Sequence, residues 1–414
     1  MQISSWTAAM NSMTALAPRS IFQDQFGRQK RKLRISVTDR CNFKCSYCMP
    51  EHPEWMNKKD LLSFEALYAF CEFMVRHGIE QIRVTGGEPL MRQGIVHFIA
   101  RLQTLKAFGL KRISMTSNGH YLKDYAQALK QAGLDDLNIS LDSLDPKQFQ
   151  QLTQKQLQPV LQGISAAQQA GLTVKINSVL IKGINDNQII PLVKWAQHQA
   201  IELRFIEFMP LDGDQKWNPS DVISEQDILD QLKTEFDVQV SQGQGANPAR
   251  GYLVNGQPLG IISTITHSFC SDCDRLRLNA QGEFYNCLFA RQGLNLKADI
   301  EQLALDHFAT QTFQHKLHAY IWHKEAGFHA IQQSPIQKPI RKISMHSTSL
   351  MSYLFTKEQG ILKDQKKGLM MKKHLIFLVF IVMVFILALV VKINNDHKKG
   401  QALKKLELVG KQIH

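Results

Sequence analysis

The first half of the chain alternates between short apolar runs and longer amphipathic stretches. The apolar runs predict six strands, over Lys32–Val37, Gln81–Thr85, Lys111–Thr116, Asp136–Leu141, Thr173–Ile181 and Ile201–Phe208. Apolar residues at helical spacing predict helices between them, over 63–77, 92–108, 121–132, 157–170 and 186–199. Ser63 is the predicted cap of the first helix, and Gly78 is its predicted end. This alternation predicts a parallel α/β sheet, which forms a partial (β/α)6 barrel when it curls.

The pattern changes after the sixth predicted strand, and the whole chain divides into five parts. Residues 1–20 form a flexible lead-in, and residues 21–235 contain the barrel. Residues 236–345 predict a smaller module with short strands and a helical part near 296–326. Residues 346–370 are a polar linker, and residues 371–414 are an extension. Within the extension, the uncharged stretch Leu375–Val391 predicts a transmembrane helix of about 25 Å, with a buried core helix as the alternative.

The charge distribution argues against nucleic-acid binding. The chain has 414 residues, enough for two or three domains, and a net charge of +13. Residues 351–414 hold twelve lysines against four acidic residues and therefore supply +8 of that charge. The remaining, mildly basic part suits an anionic small molecule, and we expect no nucleic-acid partner.

Three of the seven cysteines follow the first predicted strand at CxxxCxxC spacing: Cys41, Cys45 and Cys48. Three thiolates on one loop can hold an inorganic centre and leave one coordination position open to a substrate or cosubstrate. A zinc site completed by His52 is the main alternative. A disulfide with a spare thiol is disfavoured because no signal-peptide pattern accompanies it. Cys71 lies on an apolar helical stripe and is expected in the core.

The other three cysteines form a second open set: Cys270, Cys273 and Cys287. Between them, Arg275 and Arg277 occupy alternate positions of a predicted strand, so both guanidinium groups can point the same way. Paired arginines beside an open metal centre suit a polyphosphate. The alternative is a zinc site completed by His267, with a solvated basic strand.

Polar groups also collect at the carboxyl ends of the predicted strands, where barrels of this kind place their reactive residues. Gly86-Gly87 follows the second strand, where glycines let a backbone approach a polar cosubstrate, and Glu88 could accept a bond from its ammonium group. We expect one rim to carry every candidate group, with the two cysteine sets facing each other across one barrel mouth.

These motifs, taken in order, resemble the GTP 3′,8-cyclase family of radical S-adenosylmethionine (SAM) enzymes. The resemblance covers roughly residues 20–345 and rests on Asp24–Arg28, Leu33–Cys41, Arg83–Leu90, Asn138–Asp142, Arg204–Met209 and Phe269–Leu278. Other radical SAM families share the first cysteine set and the glycine pair. The second cysteine set with Arg-x-Arg between its cysteines is far more specific to this family. The resemblance implies a partial barrel of the radical SAM type, a C-terminal auxiliary-cluster module and, in this chain, an appended hydrophobic helix.

The resemblance also implies a role for each candidate residue. A [4Fe-4S] cluster that cleaves SAM is implied at Cys41, Cys45 and Cys48. A second [4Fe-4S] cluster, with a free iron facing the guanine of GTP, is implied at Cys270, Cys273 and Cys287. The implied SAM contacts are Tyr47, Gly87, Ser140 and Met209. The implied GTP contacts are Arg34, Arg83, Thr116, Lys175, Arg275 and Arg277, of which the two last join the first cysteine set as catalytic residues.

The implied activity is that of a radical SAM lyase. A 5′-deoxyadenosyl radical from SAM removes hydrogen from the ribose C3′ of GTP, and the C3′ radical adds to guanine C8, which begins molybdenum cofactor biosynthesis. The implied partners are a downstream cyclic pyranopterin monophosphate synthase and a flavodoxin- or ferredoxin-like reductant. We further expect a homodimer and a cytoplasmic catalytic part that residues 375–391 tether to a membrane.

The sequence departs from the family in its last part. Family members typically finish with a Gly-Gly tail that is thought to reach into the active site, whereas Gly86-Gly87 is the only glycine pair here. The stretch from Met371 to His374 resembles the start of a separate small membrane protein, which indicates a fusion or a frame-shifted end. We therefore expect intact clusters but impaired cyclisation. The rival interpretations are another radical SAM maturase, such as a peptide maturase, and a non-catalytic zinc-stabilised binding protein.

Overall fold

The computed structural model describes residues 21–50, 52–211, 217–241, 245–290, 292–306 and 309–333. The chain divides into two compact units, Met1–Leu350 and Met351–His414, and every described residue belongs to the first. The predicted lead-in, linker and extension, including the predicted membrane span 375–391, lie outside the described residues. Within the described ranges, no helix combines the length and apolar character needed to cross a membrane.

The described strands form one sheet in the order β12-β11-β10-β1-β2-β3-β4-β5-β6-β9-β8-β7. The first six are β1 (Lys32–Ser36), β2 (Gln81–Thr85), β3 (Arg112–Ser117), β4 (Asp136–Ser140), β5 (Thr173–Leu180) and β6 (Glu202–Glu207). The last six are β7 (Val238–Val240), β8 (Arg250–Val254), β9 (Gln257–Ile262), β10 (Arg275–Leu278), β11 (Glu283–Tyr285) and β12 (Leu294–Asn295). All six strands predicted for the barrel are therefore confirmed.

Strands β1 to β6 pair in parallel and in chain order, as the sequence predicted. Strands from the second half of the chain extend this sheet at both edges, because β9 pairs in parallel with β6 and β10 pairs in parallel with β1. The alternating pattern did not predict these two pairings. Residues 236–345 thus contribute strands to the barrel sheet itself, which brings β10 directly beside the strand that leads into the first cysteine set.

Helices cover the outer face of the sheet. Those between the barrel strands are Phe64–Arg76, Ile95–Thr104, Leu122–Gln131, Pro146–Thr153, Gln158–Gln169 and Ile189–His198. Those of the second half are Glu225–Leu232, Lys297–Asp306, Gln311–Trp322 and Phe328–Gln333. The Ser63 hydroxyl accepts a hydrogen bond from the Ala66 amide at 3.0 Å, and Gly78 follows the helix with a φ of 98°, which confirms both predicted ends. The helix Pro146–Thr153 was not predicted, although Asp145 before Pro146 is a recognisable start signal.

Alternate strand residues meet two different environments. Outward residues such as Ile35, Ile82 and Met115 are fully buried in the hydrophobic core, as is Cys71, which confirms its predicted place. The inward positions are mostly polar. The strand register aligns Arg34 with Arg83, and Thr116 with Asn138 and Lys175, while Arg204 lies two residues beyond the partner of Lys175 on the same face. A sheet interior lined by charged groups is suited to hold a polar ligand rather than to serve as a core.

Candidate active site

The first cysteine set occupies a turn in the loop after β1. The amides of Cys48 and Met49 both donate to the Cys45 carbonyl at 3.0 Å. The Sγ atom of Cys41 accepts hydrogen bonds from the Phe43 amide at 3.4 Å and from the Asn118 side-chain amide at 3.7 Å. Two N–H groups directed at one sulfur stabilise a thiolate ligand and fix its position.

These thiols need a cation to ionise. Burial raises the pKa of Cys41 to about 12 and raises the pKa of Cys45 well above its usual value. A bound metal centre supplies the positive charge that a buried thiolate requires. The first set therefore fits a metal centre that ionises its ligands on binding.

The glycine pair lies against the strand-end loop that leads to Cys41. The Gly87 amide donates to the Thr38 carbonyl at 2.7 Å, and the Glu88 amide donates to the Arg40 carbonyl at 2.8 Å. A Cβ atom on Gly87 would lie 2.2 Å from the Arg40 carbonyl oxygen, so no other residue fits there. The sequence predicted a close approach of these glycines to a ligand, and the structure shows a close approach to backbone.

Glu88 is fully buried and its carboxylate is used inside the protein. Its oxygens accept hydrogen bonds from the Asn118 amide at 2.7 Å, the Ser117 hydroxyl at 2.9 Å and the Leu90 amide at 3.1 Å. Burial raises the pKa of Glu88 to about 7. All three of these bonds come from the protein itself, and the expected bond to an ammonium group stays a prediction. Glu88 instead joins the glycine turn to the end of β3 and so positions Asn118 beside Cys41.

A tyrosine–carboxyl pair anchors the other side of the first set. The Tyr47 hydroxyl donates to Asp142 Oδ2 at 2.5 Å, and the Val179 amide donates to Asp142 Oδ1 at 2.8 Å. Burial raises the pKa of Asp142 to about 6. The pair ties the cysteine loop to the carboxyl ends of β4 and β5. Ser140 ends β4 and Met209 follows β6, so the four expected SAM contacts lie at the same end of the sheet as the first cysteine set.

The second cysteine set lies at the opposite end of the strands. Cys270 and Cys273 precede β10, and Cys287 follows β11, which runs antiparallel to β10. All three cysteines are therefore at the amino end of β10, whereas the first set follows the carboxyl end of its parallel neighbour β1. The expectation that both sets share one barrel mouth is corrected, because these cysteines come before their strand rather than after it. The two sets lie beyond opposite ends of β1 and β10, and β1 alone, with five residues, is about 16 Å long.

The predicted GTP contacts lie between the two sets. The register places Arg277 beside Arg34, and Arg34 beside Arg83. Arg34 keeps contact with solvent, but partial loss of hydration inside the sheet lowers its pKa well below its usual value, and the charges of Arg277, Arg83 and Arg275 lower it further. Such crowding of positive charge is relieved when an anion binds.

The neighbouring strands add polar groups that are partly paired. Asn138 lies between Thr116 and Lys175 in the register. Lys175 forms an ion pair with Glu202, which also pairs with Arg204 at 2.6 Å. The structure therefore brings the six predicted nucleotide contacts onto one inner surface, with the cationic group concentrated on β10, β1 and β2.

The second set is surrounded by positive charge. Burial favours the neutral thiol of Cys273, but the nearby charges of Arg275 and Lys324 outweigh it and lower the pKa to about 6. A Cβ atom on Gly327 would lie 2.6 Å from the Cβ atom of Cys270, so the loop after the helix Gln311–Trp322 packs tightly on this set.

The cysteine thiols of both sets are available as ligands of a metal centre. None of the seven cysteines forms a disulfide. In the part of the chain that the structure describes, no three His, Cys, Asp or Glu side chains are grouped to hold a metal ion. A zinc ion holds every thiolate at about 2.3 Å from one point, whereas a cluster binds each thiolate at a separate iron. Of the two histidines considered as fourth zinc ligands, His267 lies 3.2 Å from Glu225 and His52 is exposed.

Sequence reasoning assigned no site role to Asn118, Asp142 or Glu202. Asn118 directly follows β3 and Asp142 lies two residues after β4, so their place at strand ends was the available signal. Glu202 gave no signal, because its pairing with Lys175 depends on the register between β5 and β6.

Two family models match the chain: the Radical SAM superfamily over residues 35–196 and Molybdenum Cofactor Synthesis C over residues 201–330. Among solved structures, SuiB from Streptococcus suis bound to the precursor peptide SuiA aligns with a TM-score of 0.51 at 14% identity, over 81% of this chain and 73% of that chain. SuiB bound to S-adenosylmethionine gives a TM-score of 0.51 at 15% identity, over 76% of this chain and 73% of that chain. The fold is that of a radical SAM protein.

Comparison with curated relatives identifies the family within the radical SAM proteins. GTP 3′,8-cyclase from Streptomyces coelicolor is 42% identical over 312 residues, which is 73% of this chain and 90% of that protein. GTP 3′,8-cyclase from Staphylococcus haemolyticus is 39% identical over 295 residues, with 69% and 86% covered. The Staphylococcus aureus enzyme of that name is 38% identical over 303 residues, with 70% and 88% covered. The chain belongs to the GTP 3′,8-cyclase family, as its motifs predicted.

Proposed function

We propose that this protein is a GTP 3′,8-cyclase that converts GTP to (8S)-3′,8-cyclo-7,8-dihydroguanosine 5′-triphosphate in the first step of molybdenum cofactor biosynthesis. Its cofactors are SAM and two [4Fe-4S] clusters. The observation that carries the proposal is the parallel pairing of β10 with β1. This pairing sets the arginines of the second cysteine set beside those of the barrel, between two sets of three cysteines.

The arginines bind the triphosphate. Arg34, Arg83 and Arg277 are neighbours on three adjacent strands and present planar, permanently charged donors to one region. Charge-assisted bonds from guanidinium to phosphate are strong and directional. The anion also relieves the mutual repulsion of these groups, so this surface prefers a polyphosphate over a neutral ligand.

The two ends of the interior position the other reacting partners. Cys41, Cys45 and Cys48 hold the first cluster, and Tyr47 and Asp142 fix the loop on which they lie. When bound, the first cluster supplies the electron for SAM cleavage, which generates the radical that takes hydrogen from the ribose of GTP. Cys270, Cys273 and Cys287 would hold the second cluster, which would face the guanine end of the nucleotide. The strands between them keep the ribose near SAM and exclude water from the interior.

Anaerobic reconstitution with iron, sulfide, dithionite, SAM and GTP tests the proposal. We expect about eight irons per chain, 5′-deoxyadenosine and a cyclised triphosphate detected by mass spectrometry. A colourless protein with one or two zinc ions would instead indicate a binding module. SAM cleavage that a peptide stimulates and GTP does not would indicate a peptide maturase.

The remaining partners follow from the same proposal. The chain receives electrons from a flavodoxin- or ferredoxin-like protein, passes its product to cyclic pyranopterin monophosphate synthase and acts in the cytoplasm as a homodimer. A membrane tether through residues 375–391 is a separate proposal, and fractionation of the full chain against a chain that ends at residue 346 tests it.

The altered last part has its own test. If the missing Gly-Gly tail impairs cyclisation, a chain that carries a Gly-Gly ending after His346 forms more cyclised product than the full chain, while SAM cleavage without GTP stays the same. Equal product from both chains would show that the tail is not limiting.

A further inference from the structure

Two buried cations contact the backbone of the second cysteine set. Arg28 donates from Nη1 to the Cys270 carbonyl at 2.7 Å, and Lys30 donates from Nζ to the Cys273 carbonyl at 2.8 Å. Arg28 is 8% exposed and Lys30 is fully buried. Both residues come from the segment before β1, far from these cysteines in the sequence.

A third buried cation completes the arrangement. Lys324, 2% exposed, follows the helix Gln311–Trp322 and donates from Nζ to the Asn286 carbonyl. That carbonyl belongs to the peptide bond that precedes Cys287. Each ligand of the second set therefore has one buried cation on its own or its adjoining peptide. We call Arg28, Lys30 and Lys324 the cation clamp.

The clamp carries more charge than its surroundings balance. Asp24 contacts Arg28 at 2.7 Å and Lys30 at 2.6 Å. Among the described residues, Asp24 is the only carboxylate within ion-pair distance of the clamp. Asp274, which follows Cys273, pairs with Lys32 instead, at 3.1 Å. Apart from the cysteine ligands themselves, three buried cations against one carboxylate leave an excess of two positive charges. Burying a charge without a counter-charge is costly, so this arrangement requires an anion nearby.

A [4Fe-4S]2+ core with three thiolates is such an anion, with a net charge of minus one that grows on reduction. We propose that the cation clamp positions the three ligands of the second cluster and supplies the positive charge that holds this anion and favours its reduced form. The proposal rests on the assignment of the second cluster in the proposed function. In this role the clamp residues touch neither substrate nor iron and act through the peptides of the ligands.

Substitution of Lys324 tests the clamp with readouts other than turnover. Lys324→Met removes the charge and the donor, Lys324→Gln removes only the charge, and Lys324→Arg keeps both. Lys316→Met is the matched control, because Lys316 lies on the adjoining helix in an exposed pair with Asp299 at 2.8 Å. Each chain is reconstituted anaerobically, its iron is counted, and the midpoint potential of each cluster is measured by redox titration with electron paramagnetic resonance.

We expect Lys324→Met to fall from about eight irons toward about four, with the loss confined to the second cluster. In Lys324→Gln the second cluster is retained but its midpoint potential shifts to more negative values, while the first cluster is unchanged. Lys324→Arg and Lys316→Met behave as the unsubstituted chain.

Several results would overturn the clamp. Unchanged iron and potentials in both Lys324→Met and Lys324→Gln would leave it without a role. Equal loss of both clusters in Lys324→Gln would show that Lys324 supports the fold and not the second cluster. An unsubstituted chain with only about four irons would overturn the second cluster itself, and the clamp with it, whereas clamp effects without GTP cyclisation would fault only the proposed substrate.

Discussion

The two cysteine sets offer the same three ligands but are supported in opposite ways. Hydrogen bonds from neutral donors and buried carboxyl groups support the first set, through Glu88 with Asn118 and through Asp142 with Tyr47. Buried cations support the second set. The number and spacing of the thiolates are therefore similar in the two regions, whereas their electrostatic surroundings differ in sign.

This difference separates the tasks of the two centres. The potential of an iron–sulfur cluster depends on nearby charge and on hydrogen bonds to its sulfur atoms. Near the first set, burial raises the pKa of Glu88 to about 7 and that of Asp142 to about 6, and neither carboxyl group adds positive charge. A centre without cationic support remains a strong reductant, as SAM cleavage requires. A centre surrounded by cations suits the binding of an anionic nucleotide.

Removing one ligand from each set has the largest expected effect. Cys48→Ala should lower the rate of SAM cleavage at least about a thousandfold, which corresponds to an activation barrier higher by about 4 kcal/mol. Cys287→Ala should abolish cyclisation to a similar extent but leave SAM cleavage measurable. The measurement is 5′-deoxyadenosine and cyclised product in parallel, with Cys71→Ala as the control for a buried cysteine outside both sets. Equal loss of both products in the two variants would show that the sets do not have separate tasks.

The buried carboxyl group of Glu88 predicts a defined pH dependence of the stability of the folded chain. Burial raises the pKa of Glu88 in the folded chain from 4.5 to about 7, so the folded state binds this proton more tightly than the unfolded state. The contribution of Glu88 to stability is fully present below pH 4.5 and falls by about 3 kcal/mol as pH rises through 7. We expect the stability difference between the wild type and Glu88→Gln to shrink accordingly, measured by denaturant unfolding of the cluster-free protein.

Glu301→Gln is the control for loss of a carboxylate, because Glu301 is exposed on the helix Lys297–Asp306. A difference in unfolding free energy between the wild type and Glu88→Gln that stays constant from pH 5 to pH 8 would contradict the raised pKa of Glu88.

The comparison also shows how far the sequence reaches. Periodicity located the six barrel strands and their helices because each pattern is local, and spacing identified both cysteine sets. The sequence did not predict the pairing of β10 with β1, because no local sequence pattern indicates which distant strands pair in parallel. Their pairing placed the second set at the opposite end from the one expected.

The supports were harder to predict than the ligands. Glu88 was recognised beside the glycine pair, but its bonds to Ser117 and Asn118 were not predicted, since a sequence does not show that both carboxylate oxygens are bonded inside the protein. Lys324 resembles any lysine after a helix, and only the packing of its loop onto the second set makes it a buried cation. Roles that depend on burial therefore require the tertiary structure.

The cationic region between the sets provides a third test. Arg34→Ala should raise the KM for GTP by about thirtyfold, or about 2 kcal/mol, because it removes charge-assisted bonds to phosphate. The Kd of SAM should stay the same. Arg31→Ala is the matched control, three residues away in an exposed pair with Glu80 at 2.9 Å. A parallel loss of SAM affinity in Arg34→Ala would show that the interior does not divide into separate nucleotide and SAM regions.

The smallest expected effect concerns whether Tyr47 acts on SAM or only on its own loop. Tyr47→Phe removes the 2.5 Å bond to Asp142 and should weaken SAM binding about fivefold, or about 1 kcal/mol. If the hydroxyl acts by anchoring, Tyr47→Phe should have no further effect in a chain that already carries Asp142→Asn. If the hydroxyl binds SAM directly, the fivefold loss should remain in that background. This double-mutant cycle is measured by equilibrium binding of SAM to the reconstituted chain. It decides whether Tyr47 positions the cosubstrate by direct contact or through the cysteine loop.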